Sequence, residues 1–351
     1  MTSPAKPSTP RVNDAESQGP AGAIEVNDWR TKADPAMRRP TAPFASIAHR
    51  WSLTLESLCL VWMPMEPVRD AVLIAAGLGT RMLPVSAYLS KESLPLVDVP
   101  LLTHLILEAK EAGVSRLHVV TSPSKSFDSL LSDRRQMQAH RPEMDSTLFN
   151  VTDGLEVLVH IQEQPKGVGN AIEAALDAID GPFLVMLGDN LLMDVHASAT
   201  AYIPSSASKR LVSAYMDNGS ATVGLAEVEP SSLQHYGVVA MDGRRIVEVV
   251  EKPEPEQAPS RLAMCGRYVF PAETQRLLKT YDYGTHGELQ SIALLEHWMR
   301  EGSLHGLVLE HTQWYDSGAP LLWLKAQIDH ALRRSDFGDE LTDWLGRRLS
   351  D

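Results

Sequence analysis

The sequence predicts an α/β fold in which a mixed, mainly parallel sheet is covered by helices on both faces. Short uninterrupted apolar runs, Ala71–Ile74 and Phe183–Leu187, are typical of strands that are buried on both sides. Apolar residues with helical spacing at 99–112 and 170–179 follow or precede such runs. Strands that alternate with helices build βαβ units, whose strands run parallel.

The pattern of the elements changes along the chain. The other predicted strands are 117–120, 155–161, 223–228, 237–241 and 246–250. The last two are closely spaced, and Asp242-Gly243 between them predicts a hairpin turn. Residues 321–333 and 340–349 have the spacing of C-terminal helices.

The first 64 residues differ in composition from the rest. They are rich in Pro, Ala, Ser and Thr without sustained periodicity, which predicts a disordered leader at 1–64 and one domain at 65–351. Their seven Lys/Arg and six Asp/Glu nearly balance at +1, so of the total of −13 the predicted domain carries about −14 and contains the acidity. Met63 and Met65 precede the first predicted strand, and either would be a sensible start.

The charge and the cysteines exclude several classes of partner and site. A net charge of −13 argues against nucleic acid or an anionic membrane as the main partner, although a nucleotide needs only a local cationic pocket. Cys59 and Cys265 lack metal-ligand spacing and cannot form a disulfide framework, which predicts a reduced, cytoplasmic protein. The apolar stretch from Trp51 to Met63 is too short for a membrane helix.

A glycine-rich loop follows the first predicted strand. Its sequence is Ala75-Ala76-Gly77-Leu78-Gly79-Thr80-Arg81. Glycines there let the backbone approach a polyphosphate, and an arginine suits bidentate phosphate contact. A dinucleotide-binding motif would need a third glycine where Met82 stands, and a P-loop would need a terminal Gly-Lys-Ser/Thr, which is absent. Taken alone, the loop could still be a simple turn.

Four more segments carry residues that could do chemistry. Lys91 lies in Ser90-Lys91-Glu92-Ser93, Asp189 follows a buried strand, Lys252 lies in Val250-Glu251-Lys252-Pro253, and Asp316 precedes Ser317-Gly318. A carboxylate at the carboxyl end of a parallel strand suits Mg²⁺, which takes few protein ligands. Each segment has a plainer reading: a solvated lysine, a turn aspartate, an edge-strand lysine or a helix cap.

Taken in order, these segments resemble a known family. Together with Lys166-Gly167-Val168-Gly169-Asn170-Ala171, Tyr236-Gly237-Val238-Val239 and Gly266-Arg267-Tyr268-Val269, they look like bacterial UTP–glucose-1-phosphate uridylyltransferases from about Val68 to the C-terminus. The resemblance implies a Rossmann-like sheet of the nucleotide-diphospho-sugar transferase type. It also implies transfer of a nucleotidyl group from UTP to glucose 1-phosphate, Mg²⁺ as cofactor, and a homodimer or homotetramer.

The resemblance also implies roles for individual residues. Ala76, Gly77, Gly79 and Thr80 would bind the nucleotide phosphates, with Gln162 and Gly167 at the base. Arg81, Lys91 and Lys252 would be the catalytic cations, and Asp189 and Asp316 would hold Mg²⁺. Gly237, Glu251 and Lys252 would bind the sugar phosphate.

The sequence departs from the family pattern at two segments that bear on sugar choice. Gly287-Glu288-Leu289-Gln290-Ser291-Ile292-Ala293 replaces a segment that usually has acidic ends, and Arg261 stands where asparagine is usual. The cation of Arg261 could favour an acidic sugar or could point to water. Two alternatives therefore stay open: the same reaction with dTTP or GTP and a modified hexose or cyclitol 1-phosphate, or a catalytically weak nucleotide-sugar-binding regulatory protein.

Overall fold

The computed structural model describes residues 65–280 and 291–350. The predicted leader at 1–64 lies outside the described residues, as does the Gly287–Gln290 part of the segment that departs from the family pattern. Within the described residues, no helix is both long enough and apolar enough to cross a bilayer.

One large sheet forms the centre of the described chain. The strands are β1 Asp70–Ile74, β2 Pro95–Leu96, β3 Val99–Pro100, β4 Arg116–Thr121, β5 Glu156–Ile161, β6 Phe183–Leu187, β7 Asn190–Met193, β8 Ala221–Glu227, β9 Gly237–Asp242, β10 Arg245–Glu251, β11 Leu262–Phe270, β12 Leu304–Val308 and β13 Gln313–Asp316. Among them, nine strands form the sheet in the order β5-β4-β1-β6-β11-β8-β12-β10-β9.

The sheet is mixed, as predicted, and its parallel part comes first. The pairs β5–β4, β4–β1 and β1–β6 are parallel. Beyond β6, the pairs of β11 with β6 and β8 are antiparallel, and β8–β12 is parallel again. The predicted hairpin is present, because Asp242 pairs with Arg245 across the turn and Gly243 has a φ of 60°.

Helices cover the sheet on both faces. They are α1 Leu101–Glu111, α2 Asp128–Leu131, α3 Arg135–Gln138, α4 Val168–Glu173, α5 Ala207–Asn218, α6 Thr274–Lys279, α7 Ser291–Arg300, α8 Pro320–Arg333 and α9 Gly338–Ser350. One apolar core joins sheet residues to α1, α5 and α8, and includes Leu105, Leu211 and Ala326. A second core joins the sheet to α4, α6 and α7. A sheet covered in this way explains the uninterrupted apolar runs.

The predicted helix at 170–179 is shorter in the structure. Here α4 ends at Glu173, and a 3₁₀ turn follows at Leu176–Ala178. The N–H of Ala174 bonds to the residue four positions earlier, whereas that of Ala175 bonds three positions earlier, to Ile172. The helix therefore tightens at this point, and apolar spacing alone does not reveal such a change.

Candidate active site

The parallel strands place three loops at one edge of the sheet. Asp70–Ile74 pairs in register with Arg116–Val120 on one side and with Phe183–Leu187 on the other. The carboxyl ends of β1, β4 and β6 therefore coincide, and open α/β sheets bind ligands at that edge. The loop after β1 is the glycine loop, the loop after β4 carries Lys125, and Asp189 follows β6.

The glycine loop presents backbone N–H groups without partners. Within the described residues, the N–H groups of residues 76–79 donate to no acceptor. Gly79 has a φ of 66°, which glycine adopts without strain. Ala76 is buried, whereas Gly77 and Thr80 are exposed and Thr80 begins a 3₁₀ turn that includes Arg81. Such a run of free N–H groups can bind an anion.

Lys91 and Asp189 meet directly, although they lie far apart in the sequence. The Nζ of Lys91 is 2.5 Å from the Oδ2 of Asp189, and the other oxygen of Asp189 accepts a hydrogen bond from Asn190 at 2.8 Å. Burial alone would raise the pKa of Asp189, but the Lys91 cation outweighs it, and the pKa is lowered. Asp189 is therefore held as a carboxylate.

Gly188 fits this close approach of the loops. A Cβ on Gly188 would come within 2.7 Å of the Ile74 carbonyl oxygen. Because that neighbour is backbone, it cannot move aside cheaply. Glycine at this position therefore allows the end of β6 to lie against the end of β1, which sets the position of Asp189.

A small two-stranded sheet brings Asp316 to the same place. β13 pairs antiparallel with β7, so that Asp316 lies opposite Asn190. Both the N–H and the hydroxyl of Ser317 donate to the carbonyl of Asp189 at 2.8 Å. A Cβ on Gly318 would come within 2.5 Å of an Arg81 nitrogen. The Asp-Ser-Gly segment is therefore packed against Arg81 and fixes both carboxylates beside that cation.

The two carboxylates influence each other. Burial raises the pKa of Asp316, and the nearby charge of Asp189 raises it further, against the lowering effect of Arg81 and Lys91. A pair of neighbouring carboxylates favours a bound cation that neutralises both. The donor set fits Mg²⁺, which takes one or two protein carboxylates and completes its shell with water and substrate phosphates. In the described part of the chain, no group of three or more His, Cys, Asp or Glu residues could hold a metal ion.

The residues predicted for the sugar phosphate line one cavity together with Arg81 of the glycine loop. The volume of this cavity is about 560 Å³. Its predicted members are Arg81, Asp189, Gly237, Glu251, Lys252 and Asp316. Lys252 has a φ of 48°, a left-handed backbone conformation that few residues with a side chain adopt. Its ammonium lies 3.3 Å from Glu251 and stays exposed.

Two aromatic residues that the sequence reading did not assign also line the cavity. The rings of Tyr236 and Trp314 lie 4.4 Å apart between centroids. Trp314 donates to Asn190 at 2.7 Å, and Tyr236 hydrogen-bonds to Asp316. Burial, together with the Asp316 carboxylate, raises the pKa of Tyr236 to about 12, so its hydroxyl stays protonated and can donate. The sequence signal for both was their position, because Tyr236 directly precedes Gly237 and Trp314 lies two residues before Asp316.

The predicted base-binding residues lie together, but beside a different cavity. The Gln162 side chain donates to the Gly167 carbonyl at 3.1 Å and to Asn170 at 3.0 Å. Gln162 lines a cavity of about 330 Å³ next to α4. Val168, the residue after Gly167, lines the cavity of about 560 Å³. The role of Gln162 and Gly167 at the base stays a prediction.

Arg261 does not line the cavity of about 560 Å³. Its guanidinium lies 3.3 Å from Glu227 and 3.8 Å from Glu229, and its Nε donates to the Val228 carbonyl. All three side chains are exposed. Of the two readings that the sequence left open, this geometry favours a cation that faces water.

A buried ion pair lies beneath the two carboxylates. Arg267 on β11 is fully buried and donates twice to Glu108 of α1, at 2.9 and 2.7 Å. It also donates to the Asn190 carbonyl at 2.9 Å, next to Asp189. Ser208 of α5 donates to the same Glu108 carboxylate at 2.6 Å. This network joins α1, α5 and β11 to the start of β7.

Known proteins that are similar to this chain are nucleotidyltransferases. The sequence model of the nucleotidyl transferase family matches residues 70–331, which include the glycine loop and both carboxylates. The chain belongs to this family. It is 31% identical over 293 residues to UTP–glucose-1-phosphate uridylyltransferase 2 of Staphylococcus saprophyticus, covering 80% of this chain and 98% of that protein. It is also 31% identical over 292 residues to UTP–glucose-1-phosphate uridylyltransferase YngB of Bacillus subtilis, covering 80% and 95%.

Solved structures show the same fold for this member of the nucleotidyl transferase family. UDP-glucose pyrophosphorylase from Acinetobacter baumannii has a TM-score of 0.68 and 26% identity, over 80% of this chain and 99% of that one. A UDP-glucose pyrophosphorylase complexed with UDP-glucose has a TM-score of 0.63 and 28% identity, over 75% and 98%. The predicted α/β class and the predicted family are therefore both confirmed.

Proposed function

We propose that this nucleotidyltransferase acts as a UTP–glucose-1-phosphate uridylyltransferase. It transfers the uridylyl group of UTP to glucose 1-phosphate and releases pyrophosphate. The observation that carries the proposal is that one cavity is lined by Arg81, Asp189, Glu251, Lys252 and Asp316 together. The names of the similar bacterial enzymes support UTP and glucose 1-phosphate as the substrates.

The main obstacle to the reaction is repulsion between anions. The phosphate oxygen of the sugar must reach the α-phosphorus of a triphosphate, and each pair of like unit charges at about 4 Å costs about 4 kcal/mol in a partly buried site. Arg81 and Lys91 oppose this repulsion from the glycine-loop side, and Lys252 opposes it from the β10 side. Catalysis then depends on positioning and electrostatics, and needs no covalent intermediate.

Asp189 and Asp316 would hold Mg²⁺. Bound there, Mg²⁺ would neutralise charge on the triphosphate and its leaving pyrophosphate. The Nζ of Lys91 donates to the Oδ2 of Asp189 at 2.5 Å, so this lysine also balances the carboxylate charge when substrates are absent. The sugar phosphate is already ionised at neutral pH, and therefore no general base has to remove a proton from the nucleophile.

The sugar is held, in this proposal, by the end of the β9–β10 hairpin. Gly237 begins β9, directly opposite Glu251 at the end of β10. A Cβ on Gly237 would clash with the Met264 methyl carbon and come within 3.0 Å of a Glu251 oxygen, so glycine leaves room for both side chains. Glu251 can accept hydrogen bonds from sugar hydroxyls, while the exposed ammonium of Lys252 meets the sugar phosphate.

The direct test is the product. Purified protein with UTP, glucose 1-phosphate and Mg²⁺ should form UDP-glucose and pyrophosphate, identified by mass spectrometry. Chelation of divalent ions should abolish the product, and added Mg²⁺ should restore it. In parallel reactions, product formed only from dTTP or GTP with a modified hexose or cyclitol 1-phosphate would support that alternative instead. Nucleotide binding without product would favour a regulatory protein. The dimer or tetramer stays a prediction, which light scattering of the purified protein can test.

A further inference from the structure

The lysine in the loop after β4 is held by three acceptors within the chain. The Nζ of Lys125 donates to the carbonyls of Ala75 and Gly77 at 2.8 and 2.7 Å and to Glu92 at 3.0 Å. A lysine ammonium has three N–H donors, so none remains for a substrate. The side chains of Lys125 and Glu92 are 10% and 1% exposed. This ammonium therefore acts on the backbone and not on a ligand.

The two carbonyls belong to the glycine loop, and their direction sets the direction of two N–H groups. In a planar trans peptide, the C=O and the N–H of one unit point in opposite directions. Lys125 holds the carbonyls of Ala75 and Gly77, and so turns the N–H groups of Ala76 and Leu78 away from itself. Neither N–H has an acceptor among the described residues. Free N–H groups that share one side of a loop form a binding site for phosphate oxygens.

Glu92 connects this arrangement to the rest of the site. It lies in the 3₁₀ turn Lys91–Ser93, where Lys91 bonds to Asp189 and Glu92 bonds to Lys125. A Cβ on Gly188 would come within 3.2 Å of Glu92, so Glu92 also packs against the residue before Asp189. One buried ion pair thus joins the three loops that carry the glycine N–H groups, Lys91 and Asp189.

We propose that Lys125, held in place by Glu92, is a positioning residue that presets the N–H groups of Ala76 and Leu78 for the β- and γ-phosphates of the nucleotide. The proposal rests on the proposed function and adds to it the part of the substrate that these N–H groups recognise. Burial lowers the pKa of Lys125 and raises that of Glu92, and the charge of each partner opposes the shift of the other. Removal of either charge therefore leaves the other buried without its partner.

The test compares ligands with and without the outer phosphates. In Lys125→Met, the dissociation constant for UTP should rise by about tenfold or more, because two charge-assisted hydrogen bonds lose their alignment. The constant for UMP, which lacks the β- and γ-phosphates, should stay within about twofold. Both are measured by calorimetry on the full chain. Lys209→Met, which removes a lysine paired at the surface with Glu111, should bind both ligands as the unchanged protein does.

Two further measurements keep the outcome decisive. If Lys125→Met does not fold, Lys125→Gln carries the same comparison, since its shorter neutral side chain cannot hold both carbonyls and Glu92. Inorganic tripolyphosphate, titrated directly by calorimetry, should bind the unchanged protein and should bind the variant about tenfold more weakly or worse. Its binding requires neither base nor sugar, so it tests Lys125 even if UTP or glucose 1-phosphate proves to be the wrong substrate. Equal weakening of UTP and UMP, or no weakening of either, would overturn the proposal.

Discussion

Replacement of Arg267 by methionine should destabilise the fold through the charge that it leaves behind. Arg267 is fully buried, and Glu108 is 2% exposed. The substitution removes both bonds to Glu108 and the bond to the Asn190 carbonyl, while Ser208 alone remains on the carboxylate. Loss of one partner from a buried pair typically costs about 3–5 kcal/mol, because the other charge stays in a medium of low polarity.

Thermal and chemical unfolding measure this cost. For a domain of this size, about 1 kcal/mol corresponds to about 2 °C, so the melting temperature should fall by about 6–10 °C. The double variant Glu108→Leu with Arg267→Met should be more stable than Arg267→Met alone, since an apolar pair can replace a buried ion pair. Their coupling free energy should reach about 2 kcal/mol.

A surface ion pair supplies the matched control. Lys209→Met removes the partner of Glu111, whose side chain is 37% exposed, and should cost about 1 kcal/mol at most. The free energy of unfolding could instead fall by less than about 1 kcal/mol in Arg267→Met, or the losses could be additive in the double variant. Either result would contradict a stabilising role of the buried ion pair.

Three further predictions concern the cavity and the start of β1. Lys252→Ala should raise the KM for glucose 1-phosphate by about tenfold and leave the KM for UTP within about twofold in initial-rate assays; equal changes would contradict its assigned role. Asp189→Ala should lower kcat by about 100-fold or more, whereas turnover that survives at ordinary Mg²⁺ would contradict the metal assignment. Burial raises the pKa of Asp70, but hydrogen bonds from His118 and Arg116 outweigh it and keep the pKa below 3.8. Its ionised form therefore stabilises the fold above pH 3.8, and this is lost as the pH falls through the folded pKa. Asp70→Asn should lower the melting temperature at pH 7 and should make the melting temperature fall less steeply as the pH is lowered. A fall as steep as that of the unchanged protein would contradict this role of Asp70.

The sequence predicted the parallel half of the sheet well, because its signals are local. Ala71–Ile74 and Phe183–Leu187 are uninterrupted apolar runs, and the glycine loop directly follows the first of them. Once these strands pair in parallel, their ends must meet, and the place of Asp189 at the ligand-binding edge follows. Local pattern and general sheet geometry are sufficient here.

The strand β11 shows why other elements were not predicted. Gly266 has a φ of 75°, and the pairing of β11 with β8 shifts register between Met264 and Tyr268. An irregularity of this kind breaks the alternation that identifies a strand. Arg267 in the same strand also reads as a solvent-facing charge, since its partner Glu108 lies on a helix far away in the sequence. Pairings over such distances have no local signal.

For the candidate site, the sequence indicated some residues and not others. The glycine loop, Lys91, Asp189, Lys252 and Asp316 could be named from their segments and from the family resemblance. Tyr236 directly precedes β9 of the large sheet, whereas Trp314 lies on β13 of a separate two-stranded sheet, so neither segment alone signals that their rings lie 4.4 Å apart. Lys125 lies in a polar loop, and no local sequence signal indicates its role, because its acceptors belong to two other loops.

The rate of pyrophosphate release is the most direct test of UTP and glucose 1-phosphate as the substrates. UTP, dTTP, ATP, GTP and CTP would each be combined with a panel of sugar 1-phosphates in the presence of Mg²⁺, and kcat/KM compared. We expect the highest value for UTP with glucose 1-phosphate. A clear preference for another nucleotide or sugar, or no release from folded protein that still binds a nucleotide, would contradict it.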